Sequence, residues 1–95
     1  MSEFTHLHLH TQYSLIDGAT RMTELMGTIK AYNMKAVAIT DHGNMFGAID
    51  FYKRAKEAGI KPIIGCEMYI APLGRKDRSK RFSYHLTVLD RKSVV

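Results

Sequence analysis

Tryptophan is absent from this 95-residue chain, and there is one cysteine, Cys66. One cysteine cannot close an internal disulfide, which excludes a cross-linked secreted scaffold. Nor can it supply the paired CxxC of a structural zinc site. No apolar run approaches the ~18–20 residues of a membrane-crossing helix. The start, MSEFTHLHLH, lacks the charged-then-apolar pattern of a secretory signal. The phosphate-cradling patterns GxxxxGK(S/T) and GxGxxG are missing, and so is a serine nucleophile elbow. What is missing therefore points to a cytoplasmic protein with no membrane partner. Its chemistry is carried neither by a glycine-loop nucleotide site nor by an activated serine.

What is present is ordinary in bulk and uneven in detail. Hydrophobic residues make up 45% and charged residues 24%, as in a globular domain, and the length allows one small domain. The net charge is +5, but the stretch RKDRSKR, 75–81, holds five basic residues and one acid, a net of +4. The rest of the chain is nearly neutral. A basic run of this kind reads as a solvated loop, with phosphate contact as the functional alternative.

Strand-like and helix-like patterns alternate along the chain. FTHLHLH, 4–10, sets Phe4, His6, His8 and His10 against Thr5, Leu7 and Leu9, the period of a strand. TQYSLIDGAT, 11–20, reads as a loop with Asp17-Gly18 as its turn. Met22, Leu25, Met26 and Ile29 follow helical spacing, with Thr20 placed to cap the helix and Asn33 to end it. Gly27 inside that helix costs roughly 1 kcal/mol relative to alanine. KAVAIT, 35–40, has the length and composition of a strand buried on both faces. A second helix is expected over 45–58, with Ala48, Phe51, Tyr52, Ala55 and Ala58 inward and Gly59 as its stop. KPIIGCEMYIA, 61–71, reads as a strand with a kink at Gly65, and YHLTVL, 84–89, as another. The resulting order, β-α-β-α-β-β, predicts an α/β fold with a parallel sheet. In such folds functional groups gather at the carboxyl ends of strands.

The residues with chemistry mostly lie there. His8 and His10 end the first expected strand, Asp17 follows in the next loop, and Asp41 and His42 come directly after KAVAIT. Glu67 lies late in the third expected strand, whereas His85 lies at the start of the fourth. Imidazole and carboxylate together suit zinc, manganese or iron. Histidines at i and i+2 share a strand face ~6.6–6.8 Å apart, so both can reach one ion or two neighbouring ions. An ionised Glu67 among Ile63, Ile64 and Met68 is costly unless paired or bound to metal, and such a carboxylate can bridge two ions. Cys66 points to the opposite face as a small apolar residue. Asp17 reads as a turn residue or a ligand, and Asp41 as a ligand or as a group that orients an imidazole. His6 reads as a packing or hydrogen-bonding residue beneath the ions.

HLHLHTQYSLIDGA, AVAITDHGNMFGAIDFYKRAKEAGIKPIIGCEMYIAP and YHLTVL together resemble the polymerase-and-histidinol-phosphatase (PHP) domain, over nearly all of residues 4–89. YSLIDGA and GNMFGAIDFYKRAKEAGIKPIIGCE resemble its bacterial replicative DNA polymerase branch in particular. The family's HxH motif followed by Thr or Ser falls on His8, His10 and Thr11. Its loop ligand falls on Asp17, the histidine of its TDH motif on His42, its strand acid on Glu67, and a later histidine on His85. Asp41 is left as the group that orients a ligand for catalysis. The resemblance implies a distorted (β/α)7 barrel with up to three divalent ions, zinc or manganese, and hydrolysis of phosphate esters. In the polymerase branch it implies metal-dependent 3′–5′ exonuclease proofreading, with DNA and other replicase subunits as partners. Nucleotide addition would belong to the parent polymerase, outside this chain. A full domain is more than twice as long, and LDRKSVV lacks the family's Ala-Lys-Asn continuation. Residues 1–95 are therefore expected to be the N-terminal part of one such domain. A stand-alone phosphoesterase of the histidinol-phosphatase kind, and a metal-binding scaffold without turnover, are the alternatives.

Overall fold

The computed structural model describes residues 4–14, 20–74, 76 and 84–94. The fold is mixed α/β. Three strands, β1 (Ala36–His42), β2 (Lys61–Ile70) and β3 (Tyr84–Leu89), form one sheet in the order β1-β2-β3. Helix α1 (Met22–Ala31) precedes β1, helix α2 (Ala48–Glu57) joins β1 to β2, and a single turn, α3 (Arg91–Val94), follows β3. No helix among the described residues is long and apolar enough to cross a membrane.

Both long helices end in the same way. Met34 N–H bonds to Ile29 O and Asn33 N–H to Lys30 O, while Ile60 N–H bonds to Ala55 O and Gly59 N–H to Lys56 O. These are Schellman closures, which need a left-handed residue after the helix. Asn33 (φ 58°) and Gly59 (φ 74°) supply it, as the sequence pattern predicts. The α1 start differs from expectation. Arg21, not Thr20, occupies the cap position and makes no side-chain cap bond. The Gln12 side chain instead accepts from Met22 N–H, at 3.3 Å. Thr20 is used elsewhere, taking Gln12 N–H on its carbonyl at 2.8 Å.

The helices cover one face of the sheet. Met22, Leu25, Met26 and Ile29 of α1 and Phe51 and Ala55 of α2 form one buried cluster with Val37, Ile39 and Ile60. Phe51 is fully buried (0% exposed). Helix α2 starts three residues later than expected, because Asn44 Oδ1 takes Phe46 N–H at 3.1 Å and Ala48 N–H bonds to Met45 O at 3.1 Å, making a turn of 44–47. Tyr52 lies outward rather than in the core, with the Lys56 ammonium 5.7 Å from its ring centre.

Three further expectations change. Segment 4–10 runs beside β1 but is not a regular strand. Ala38 N–H bonds to His6 O and Thr40 N–H to Leu9 O, so three residues of the segment span two of β1. That is a one-residue bulge. It is held by Thr40, whose Oγ1 accepts Leu9 N–H at 2.9 Å. The sheet is also not wholly parallel: β2 pairs parallel with β1 and antiparallel with β3. No helix lies among the described residues between β2 and β3, and a parallel return would need a long crossover, usually helical. Finally, β2 runs through Gly65 without a break in either ladder. A Cβ at Gly65 would lie 2.5 Å from Val88 O and 3.0 Å from Thr40 Cγ2, so the glycine serves close strand approach rather than a kink.

Candidate metal centre

The sheet face away from α1 and α2 carries the chemistry. Strand β1 runs two residues past the expected KAVAIT and includes Asp41 and His42. In register, His42 pairs with Glu67, Glu67 with Thr87, and Tyr69 with His85. Side chains paired across a sheet, and those two apart on a strand, share a face. His42, Glu67, Tyr69 and His85 therefore project together. His85 looked misplaced at the start of its strand. Antiparallel pairing turns that start toward the carboxyl ends of β1 and β2.

Glu67 is the centre. It is 5% exposed, and each carboxylate oxygen faces a different pair of imidazoles. Oε1 contacts His8 Nε2 closely and lies 3.4 Å from His10 Nε2. Oε2 lies 3.5 Å from His42 Nε2 and 3.4 Å from His85 Nδ1. His42 Nε2 is 3.2 Å from His85 Nε2. Two groups thus converge, His8-His10-Glu67 and His42-Glu67-His85, each with its ligand atoms within 4.8 Å of one another. Metal–ligand bonds of ~2.0–2.2 Å put neighbouring atoms of a tetrahedral ion ~3.3–3.6 Å apart. The His10–Glu67 and His42–Glu67 spacings fall in that interval, and both groups are of the residue types that could hold a divalent ion. Burial by itself pushes the Glu67 pKa up. The His8 hydrogen bond and the nearby charges of His10, His8 and His42 outweigh it, so the carboxyl sits below its ordinary value of 4.5.

Asp41 is 1% exposed, and its carboxylate is committed to the turn after His10. It accepts from Thr11 N–H at 2.5 Å, Thr11 Oγ1 at 2.8 Å and Ser14 Oγ at 3.0 Å. Ser14 Oγ in turn accepts His42 N–H at 2.9 Å. Asp41 thus ties the backbone beside His10 to the backbone of His42. Asn44 completes the turn, donating to Tyr13 O at 2.9 Å. Cys66 is half-buried, its thiol 3.5 Å from Asn44 O.

His6 is not beneath the site. It is exposed, stands edge-on to Phe4 at 5.1 Å, and lines a cavity with Leu9, Leu25 and Ile29. The bulge between His6 and Leu9 breaks the alternation, so His8 and His10 reach Glu67 while His6 faces α1. Asp17 and all of the basic run 75–81 except Lys76 lie outside the described residues. Ser14 and Tyr69 were not singled out from sequence. Tyr69 carried a usable signal, since it stands two residues after Glu67 on an expected strand.

The family model "PHP domain" matches residues 6–94. The DNA polymerase III subunit alpha of Campylobacter jejuni is 52% identical over 95 residues, 99% of this chain and 8% of the relative. That of Borreliella burgdorferi is 52% identical over 92 residues, covering 93% of this chain and 8% of its own length. That of Helicobacter pylori strain J99 is 58% identical over 82 residues, 83% of this chain and 7% of the relative. The chain thus spans less than a tenth of these relatives. A solved amidohydrolase from Chromobacterium violaceum, with bound sulfate and no metal, superposes with TM-score 0.68 and 26% identity, covering 90% of this chain and 27% of that one.

Proposed function

We propose, from the premise that this chain belongs to the PHP domain family, that its histidine–glutamate cluster binds divalent metal ions and hydrolyses phosphodiester bonds at the 3′ end of DNA. On this reading residues 1–95 are the N-terminal part of the domain, within a replicative DNA polymerase that works on DNA with other replicase subunits. The observation that carries it is the Glu67 carboxylate, which turns one oxygen to His8 and His10 and the other to His42 and His85.

Bound there, zinc or manganese would supply Lewis acidity, drawing charge from the phosphate and making water acidic enough to attack at neutral pH. His8 and His10 would hold one ion and His42 and His85 a second, with Glu67 common to both. Asp17 is a further ligand on this reading, for up to three ions in the complete domain. Asp41 keeps the two halves in register through Thr11 and Ser14. The polymerase relatives, at 52–58% identity, favour DNA as substrate.

The likeness to a sulfate-bound amidohydrolase supports a second reading, a phosphoesterase acting on small monoesters, since sulfate is a tetrahedral oxyanion like phosphate. Metal analysis and 3′-end release from single-stranded DNA separate the two. His8→Ala and Glu67→Ala should each lose bound metal and DNA hydrolysis, while His6→Ala keeps both. Retained metal and activity in the first two variants would overturn the assignment. Turnover of monoesters with none on DNA would favour the second reading. Metal without turnover in the whole polymerase subunit would make the domain a scaffold.

A further inference from the structure

We propose that Tyr69 is a positioning residue that sets the His42 imidazole for metal, and that Gly43 is glycine to admit its ring. The inference rests on the metal-binding reading above. Tyr69 is 56% exposed, so it does little for the core. Its ring nevertheless stacks on His42 with centres 4.8 Å apart and planes 27° apart. It also stands edge-to-face with His85 at 5.5 Å and 78°. His42 stacks in turn on His10, at 5.5 Å and 20°. The His42 ring thus packs against both an imidazole of the other group and the Tyr69 phenol.

The backbone beneath the ring is shaped to match. Gly43 N–H bonds to Glu67 O at 2.9 Å, drawing the turn after β1 against β2. Gly43 has φ 70°, and a Cβ there would lie 2.5 Å from the Tyr69 ring. A side chain at 43 would strain the backbone and displace the ring together. Aromatic pairs prefer offset-stacked and edge-to-face arrangements, and Tyr69 makes one of each with two candidate ligands. A ligand ring whose orientation is fixed before metal arrives loses less freedom on binding. Groups that orient metal ligands are commonly worth ~10–100-fold in affinity.

The test is a zinc titration of the full chain beside proton NMR of the metal-free histidine ring C–H signals. Tyr69→Ala should weaken zinc binding at one of two resolvable steps by about 10-fold, leaving the other within about twofold. In the metal-free chain it should shift the His42 ring signals, because the stacked ring is gone. Tyr69→Phe keeps the ring and should restore both readouts. Tyr69→Leu, which keeps apolar bulk without a ring, should behave as alanine does and covers the case in which Tyr69→Ala does not fold. Unchanged His42 signals and zinc binding in the ring-less variants would overturn the proposal. So would an equal fall at both steps with a lowered unfolding midpoint, which marks general damage. If the parent chain takes up no zinc, the metal reading fails, and the NMR arm alone decides whether Tyr69 orients His42.

Discussion

The two faces of the one sheet are built from opposite materials. One is covered by α1 and α2 and packed with Val37, Ile39, Phe51 and their neighbours. The other carries a buried carboxylate surrounded by imidazoles. The first face gains from every methylene removed from water. The second holds a charge out of water, a cost that the imidazoles gathered around it offset. Alternation along β1 interleaves them: Val37 and Ile39 point to the helices, while Thr40 and His42 point to the site. Folding and chemistry thus share a backbone but draw mainly on different side chains, so most substitutions should separate them.

The largest expected effect is on the covered face. Phe51→Ala should cost about 3–5 kcal/mol in urea unfolding, a large share of a small domain's stability. Any metal binding lost there should return when the variant is stabilised, because Phe51 touches no ligand face. Next comes Glu67→Gln, which should leave the chain folded by circular dichroism yet lower zinc affinity by more than about 100-fold, since one residue serves both groups. A folded Glu67→Gln variant with zinc binding intact would break the division between the faces.

The third prediction is acid sensitivity of the metal-free chain. The folded-state pKa of Glu67 lies below its ordinary 4.5, so its ionised form stabilises the fold above that value. That contribution should vanish as pH falls from 4.5 through the lowered folded-state value. The stability–pH curve of Glu67→Gln should be flatter in that window, and parallel curves would show that the site contributes nothing to folding. The smallest effect is at Gly27, exposed on α1, where an added Cβ meets nothing within 4 Å. Gly27→Ala should raise stability by about 1 kcal/mol, read as a higher unfolding midpoint, with zinc affinity unchanged.

Periodicity made α1, α2, β1 and β2 legible within a few residues, because each buries residues whose spacing shows in the pattern, whereas β3, exposed over its first four residues, showed only as a strand-like run. The bulge at 6–9 was not legible. It depends on the Thr40 hydroxyl substituting for a ladder acceptor, and such a bond leaves no period behind. The direction of β3 was equally hidden, since a two-residue alternation reads the same both ways. His8, His10, His42 and Glu67 were singled out from residue type and placement, and the structure brings them together, with the antiparallel register accounting for where His85 lies. Tyr69 was passed over because an aromatic on a strand reads as ordinary β-propensity. Tyr52 was put in the core for a similar reason, although its exposed ring needs no burial to sit on a helix.

The shared carboxylate has a consequence for how the site would fill. On the two-ion reading Glu67 would be a common terminal: charge drawn by an ion at His8 and His10 would no longer be available at His42 and His85. Two occupants joined through one anion sense each other, and linkage makes the influence equal in both directions. On that reading filling would proceed in two unequal steps, with the second ion held more weakly than the first, and a substitution at Glu67 would alter both.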